Sequence, residues 1–218
     1  MDARYLKDLL YQEYARIGKS LSSPKRLEIL DLLSQGPKSV ETLSKSTGMS
    51  VANVSQHLQT LNNARMVKFN KAGNYVIYEL ADKVIADFIN SLHKLSEKQF
   101  LQVQQIKQKF LNANKELEEV SLEELNERME KGEVLLLDVR PKEEYENAHI
   151  PGAVSIPMEE LKEKLDSLPA NRDVVAYCRG IYCLWSAEAV ELLRSQGINA
   201  YRLEKSVQDW SEFQEHLN

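Results

Sequence analysis

Cysteine is scarce in this 218-residue chain: there are two, Cys178 and Cys183, and both fall in one short stretch. So few thiols exclude the disulfide framework of a small secreted protein. No apolar run reaches the roughly 18 residues that a membrane-spanning helix needs, so no membrane partner is expected. The opening Met1-Asp2-Ala3-Arg4-Tyr5-Leu6-Lys7-Asp8 has no apolar core and does not read as a signal peptide, which places the expected location in the cytoplasm. What remains is ordinary for a soluble globular protein, with 43% hydrophobic and 28% charged residues.

The net charge of −5 conceals an asymmetry. Residues 1–119 carry 17 Lys+Arg against 13 Asp+Glu, and residues 120–218 carry 11 against 20. A basic first half can approach a polyanion and an acidic second half is repelled by one. The split points to two domains with different partners: 1–95, a connector over 96–117, and 118–218.

Residues 2–19 read as a helix with Leu6, Leu9, Leu10, Tyr14 and Ile17 near one face. Ser22-Ser23-Pro24 starts another helix, with a capping serine and proline in the first turn, and Gly36-Pro37 ends it. Ser39 caps a short helix through Thr47, closed by Gly48. Ser50 caps the next, to about Asn63. Two short helices across a glycine turn form a helix-turn-helix. In the second helix Val51, Val54, Leu58 and Leu61 face inward. Asn53, Ser55, Gln56, His57, Gln59 and Thr60 are left outside, a face rich in neutral donors and acceptors of the kind that reads base edges. Val67–Asn70 and Tyr75–Leu80 alternate as two strands around a turn at residues 71–74. Lys68 and Lys71 are expected at its tip, placed for phosphate.

Over residues 1–95 these features resemble the ArsR family of winged-helix repressors. The residues that carry the resemblance are Pro24-Lys25-Arg26-Leu27-Glu28-Ile29-Leu30, Ser55-Gln56-His57-Leu58-Gln59-Thr60-Leu61 and the hairpin ending Tyr78-Glu79-Leu80. The resemblance implies a homodimer that reads an inverted repeat in double-stranded operator DNA with the second helix in the major groove, the hairpins touching flanking DNA. Where many relatives carry a cysteine-rich metal motif, this chain reads Val40-Glu41-Thr42-Leu43-Ser44-Lys45, so that metal site is expected to be absent. Where the family usually has a small turn residue after the second helix, this chain has Arg65.

From Asp82 to about Glu119 no strong breaker appears, and Phe88, Leu92, Leu95, Val103, Ile106 and Phe110 recur at helical spacing. One long helix is expected, aiding dimerisation and leading out as a connector. Ser121 then opens a capping box with Glu124. Val134–Arg140 reads as a buried parallel strand, and Leu161, Leu165 and Leu168 mark a helix. Val174–Tyr177 is a further strand, running through the cysteine turn into a helix from about Ser186. Ala200–Leu203 and Val207-Trp210-Phe213 complete an alternating α/β pattern, whose sites lie beyond the carboxyl ends of strands. Cys178 stands at such an end. The helix N-terminus and Arg179 are expected to favour its thiolate.

Residues 118–216 resemble the rhodanese domain. The motifs are Leu137-Asp138-Val139-Arg140, Glu144-Tyr145 with His149-Ile150-Pro151-Gly152-Ala153, the Cys178-Arg179-Gly180 loop, and Trp210, in the family's order. The resemblance implies that Cys178 is the catalytic cysteine, carrying a persulfide, and that Arg179, Gly180, Ile181, Tyr182 and Cys183 cradle the sulfur. Asp138, Arg140 and His149 read as structural, with no metal and no cofactor implied. Three departures stand out: Cys183 replaces the usual loop-closing arginine, Leu184-Trp185 precede Ser186-Ala187, and Lys205-Ser206 replace a Gly-Gly turn. A thiolate at Cys183 is placed to attack a persulfide on Cys178 and reshape the loop.

The expected fold is therefore a mainly-α winged helix followed by an α/β rhodanese-like domain with a parallel sheet. The expected function is a DNA-binding regulator, a dimeric repressor whose Cys178 transfers or senses sulfane sulfur. The alternatives are a thiosulfate- or persulfide-dependent sulfurtransferase that regulates its own expression, or a thiol site for an oxyanion of the arsenate type.

Overall fold

The computed structural model describes residues 2–113, 119–169, 172–180 and 183–217. The chain divides into two compact units, 1–99 and 100–218. No helix among the described residues is long and apolar enough to cross a membrane.

The first unit runs α1 (Ala3–Leu21), α2 (Pro24–Ser34), β1 (Lys38–Ser39), α3 (Val40–Thr47), α4 (Val51–Asn63), β2 (Val67–Ala72), β3 (Tyr75–Leu80) and α5 (Lys83–Gln99). Its helix starts follow the local sequence. The Ser39 hydroxyl accepts the Thr42 N–H at 3.0 Å and the Ser50 hydroxyl accepts the Asn53 N–H at 3.3 Å, each satisfying a donor that the helix leaves open. Ser23 behaves differently. It stands before Pro24, but its side chain makes no capping bond; its carbonyl takes the N–H groups of Arg26 and Leu27 instead. Gly48 ends α3 at φ +67°, a backbone state that favours glycine.

Ile29, Leu30, Leu43, Val54, Leu58 and Leu61 are fully buried and make one core with Met66 and Ile89. Burial of each such side chain is worth roughly 2 kcal/mol. Val51, expected inside, is 47% exposed; as the first residue of α4 it precedes the turn whose inner face Val54 and Leu58 fill. The hairpin is longer than the sequence suggests. β2 and β3 pair from Val67↔Leu80 to Ala72↔Tyr75, leaving a two-residue turn at Gly73-Asn74, and β1 adds a third antiparallel strand against β3.

The expected single helix over 82–119 is two: α5 ends at Gln99 and α6 (Leu101–Ala113) begins after Phe100, whose carbonyl accepts the Val103 and Gln104 N–H groups. Residues 114–118 lie outside the described residues.

The second unit continues with α7 (Leu122–Glu130), β4 (Val134–Asp138), α8 (Lys142–Asn147), β5 (Val154–Ser155), α9 (Met158–Leu161), β6 (Asp173–Tyr177), α10 (Trp185–Ser195), β7 (Ala200–Leu203) and α11 (Val207–Leu217). The four strands form a parallel sheet in the order β5-β4-β6-β7. Alternate residues of the central strands enter two separate cores: Val174 and Ala176 join Leu137 and Val190, while Val175 and Tyr177 join Leu136 and Trp210. Ser121 caps α7 through the Glu124 N–H at 3.1 Å. The return half of the expected box is not the observed contact, since the Glu124 carboxylate turns to Arg128. The helix expected over Leu161–Leu168 is shorter, α9 followed by a single 3-10 turn at Leu165–Ser167.

Candidate functional site: a cysteine loop and a helix-turn-helix face

β6 delivers Cys178 to the carboxyl end of the sheet, at the floor of the loop that climbs to α10. Gly180 sits there at φ +111°, and the Cys183 N–H returns to the Gly180 carbonyl at 3.1 Å. The loop is thus pinched beyond Cys178, which brings the two cysteines together. Ile181 and Tyr182, expected in the cradle, lie outside the described residues.

The charges around the loop are paired. Arg179 is held by Glu144 of α8, with nitrogen–oxygen distances of 2.6, 2.9 and 3.2 Å, and its guanidinium lies 4.7 Å from the centre of the Trp185 ring. Asp138 and Arg140 form a buried pair at 2.6 Å, and Arg140 also donates to the Ala148 carbonyl. His149 stacks on Tyr145 and bonds its carbonyl. Asp138 and Arg140 are paired as the sequence reading expects. Among the described residues no group of three His, Cys, Asp or Glu side chains is gathered as a metal site.

The sulfur atoms are not equivalent. Cys178 is fully buried, and its Sγ donates toward the Cys183 carbonyl and the Ser186 hydroxyl, each at 3.5 Å. Burial pushes its thiol well above the ordinary range, and the neighbouring Cys183 adds to the rise. Cys183 is half-buried and goes the other way. The neighbouring Cys178 thiol comes first among the causes, and nearby backbone N–H groups and the Arg179 charge help, holding it below the ordinary thiol range against the cost of burial. The two thiols are thus shifted in opposite directions, Cys178 upward and Cys183 downward.

Three residues of this site carried no functional reading in the sequence. Glu144 neutralises Arg179. Ser186 receives hydrogen bonds from the Cys178 thiol and from Arg202 Nε at 3.1 Å, and Arg202 also reaches the Cys183 carbonyl at 3.4 Å. Arg202 is 1% exposed. An arginine at an inward position of a strand was the signal for it. Beside the loop, Val139, Pro141, Met158, Glu160 and Trp185 line a cavity of about 200 Å³.

In the first unit, α4 leaves Asn53, Ser55, Gln56, Gln59 and Thr60 exposed, with His57 half-buried. The hydroxyls of Ser55 and Thr60 donate back to the Val51 and Gln56 carbonyls, so the amides of Asn53, Gln56 and Gln59 are the principal donors on this face. Lys71 lies beside the hairpin tip. Lys68 does not: it is at the base of β2, opposite Glu79 and 3.6 Å from its carboxylate. Arg65 takes φ +58°, alone in that region among the non-glycine described residues.

A helix-turn-helix with a hairpin wing, joined to a parallel α/β unit with a cysteine loop, defines a two-domain regulator of the winged-helix class. A family described as bacterial regulatory protein, arsR family, matches residues 23–68, and the rhodanese-like domain matches residues 121–213. The HTH-type transcriptional regulator Rv0324 of Mycobacterium tuberculosis is 37% identical over 204 residues, covering 94% of this chain and 89% of that protein. The putative sulfurtransferase YtwF of Bacillus subtilis is 33% identical over 96 residues, 44% of this chain and 91% of its own. The solution structure of a homodimeric winged helix-turn-helix DNA-binding domain from Mycobacterium bovis is 30% identical, covers 47% of this chain and 93% of that one, and superposes with a TM-score of 0.43. The chain belongs to the ArsR family of bacterial transcriptional regulators and carries a C-terminal rhodanese-like domain.

Proposed function

We propose that this protein is a homodimeric repressor that grips operator DNA through α4 and the hairpin, and that sulfane sulfur arriving at the Cys178–Cys183 loop changes its affinity for that DNA. Residues 1–95 then bind DNA, 118–218 carry the sulfur chemistry, and 96–117 connect them. The observation that carries the reading is the pairing of the only two cysteines in one pinched loop, with the Cys178 sulfur 3.5 Å from the Cys183 carbonyl. Two thiols so placed can record a sulfur donor as a covalent change.

Dimerisation is supported by α1. Its Leu6, Leu9, Leu10, Tyr14 and Ile17 are each 40–56% exposed in the single chain, a continuous apolar face that a second copy would cover. DNA contact is supported by the exposed amides of α4 and by Lys71.

The sulfurtransferase reading draws on the likeness of the second unit to a putative sulfurtransferase. The sealed Cys178 favours a modification that persists over rapid turnover, because a persulfide on that atom is hidden from an acceptor. The oxyanion reading is disfavoured: the Arg179 charge that a dianion would need is spent on Glu144. The deciding experiment is operator affinity of the dimer before and after treatment with a hydropersulfide donor. A change that a thiol reductant reverses supports the sensor reading, and unchanged affinity on fully modified protein removes it.

A further inference from the structure

We propose that Arg202 is a positioning residue for sulfur transfer at Cys178: from β7 its buried guanidinium holds the Ser186 hydroxyl and the Cys183 carbonyl beside the Cys178 sulfur, so that the Ser186 O–H can turn onto that sulfur. This rests on the sulfur reading of the loop and names the group that arranges it.

Strand register brings Arg202 to the site. β7 pairs with β6 through Ala176↔Arg202, two residues before Cys178. Side chains alternate across a sheet, so Arg202 shares the face of Ala176 and Cys178, the face packed under α10. Its main chain is held on a second side, where its carbonyl accepts the Val120 N–H at 3.0 Å. From there the guanidinium, 1% exposed, reaches three segments. Nε donates to the Ser186 hydroxyl at 3.1 Å, Nη1 to the Glu204 carboxylate at 3.0 Å and Nη2 to the Cys183 carbonyl at 3.4 Å. Glu204 alone would answer the charge. The other two bonds go to the oxygens that lie 3.5 Å from Cys178 Sγ, while the Gly180 carbonyl stands off at 4.0 Å. A lysine ammonium is a point charge and does not present this planar fork.

The arrangement decides what the Ser186 hydroxyl can do. A guanidinium has donors and no acceptor, so the hydroxyl can only accept from it, and its own proton is turned away from Arg202. While Cys178 is a thiol, its proton points to the two oxygens. Once that proton has left, the Cys183 carbonyl has nothing to donate, but the Ser186 O–H can rotate onto the sulfur while Arg202 keeps the far side of the oxygen. Burial raises the Cys178 thiol and Ser186 pulls the other way, in agreement with this role. The step served is attack of the Cys178 thiolate on the outer sulfur of an organic hydropersulfide. A sulfur–sulfur bond forms at Cys178 and the donor's sulfur–sulfur bond breaks. The donor departs as a thiolate and takes up the proton that Cys178 released, so one thiol and one persulfide are exchanged with no net oxidation.

The test uses the full-length protein and a small organic hydropersulfide over a range of pH. Reactions are quenched with an alkylating reagent, and fragment-ion mass spectrometry separates Cys178 from Cys183. The reagent's own titration is common to all variants and cancels between them. Ser186→Ala and Arg202→Lys are each expected to raise the Cys178 inflection by about one pH unit, the worth of a hydrogen bond to a charged group. Below the inflection the rate should fall roughly three- to fourfold, because a more basic thiolate is scarcer but also more nucleophilic. The double variant should shift no further than Ser186→Ala alone, since Arg202 acts through Ser186. A wild-type measurement needs no variant to fold: the Arg202 Nε–H NMR signal, assigned through its own side chain, should move when Cys178 takes up sulfur. An Arg202→Lys inflection equal to that of wild type, additive shifts in the double variant, or an unmoved Nε–H signal makes Arg202 merely structural and leaves the sulfur reading standing. Wild type in which Cys178 takes up no sulfur overturns both.

Discussion

Arg179 closes on Glu144 at 2.6 Å, so the cation beside the cysteines has a partner on another element. Glu144 is 2% exposed and Arg179 keeps 17% of its side-chain surface. Removing the carboxylate strands a largely buried cation. Glu144→Gln should therefore cost about 3 kcal/mol, the lower end of the range for a broken buried pair because Arg179 retains some solvent. Urea unfolding reads this as a lower midpoint at unchanged slope. The freed charge should also hold the Cys183 thiolate more firmly, moving its alkylation profile to lower pH.

The thiol pair makes a second prediction. The neighbouring Cys178 thiol is the leading reason that Cys183 is lowered, so Cys183 should alkylate with an inflection below the roughly 8.5 of free cysteine. Its rate should hold as pH falls from 8.5 toward neutrality and decline only below its own inflection, where the thiolate takes up a proton. Cys178→Ala removes the donor and should shift that inflection upward, whereas Cys178→Ser keeps an O–H and should shift it less. Rates of iodoacetamide labelling against pH decide the matter. An inflection that the alanine variant leaves in place would mean the two sulfurs do not interact.

Much of this architecture is legible in the chain. Ser39, Ser50 and Ser121 announce helix starts, the apolar run Val134–Leu137 announces a central strand, and the order of motifs announces both families. The failures share a physical origin. The break at Phe100 has no glycine or proline to mark it. Lys68 was placed by proximity to the turn, whereas strand register puts it opposite Glu79. Sequence shows that Arg179 adjoins Cys178 but not that Glu144, 35 positions earlier, pairs with it. Tertiary pairing decides where an electrostatic field acts, and local order does not.

Arg65 occupies left-handed backbone at φ +58°. A side chain there costs about 1 kcal/mol relative to glycine. Arg65→Gly is expected to raise the unfolding free energy by about that amount. If its exposed guanidinium also touches phosphate, the same change weakens DNA binding and flattens the salt dependence. Thermal unfolding and binding isotherms at two salt concentrations separate the two effects.

The two kinds of DNA contact should respond differently. Gln56→Ala removes an exposed amide from α4 and should reduce discrimination between the operator and altered sequences by about 1–3 kcal/mol. Lys71→Ala removes a charge beside the hairpin tip and should weaken binding to all sequences alike, lowering the salt slope by about one. Competition titrations with operator and scrambled duplexes make the comparison. Equal behaviour of the two variants would mean that α4 is not the reading face.

The central claim is that sulfur chemistry at Cys178 and Cys183 governs the grip on DNA. It is tested most directly by measuring operator affinity on one sample before and after an organic hydropersulfide is added, with intact mass recorded each time. The account predicts that affinity changes in step with loss of the free thiols, returns on reduction, and stays constant in the Cys178→Ser, Cys183→Ser double variant. Complete modification of the wild type with no change in affinity would contradict it.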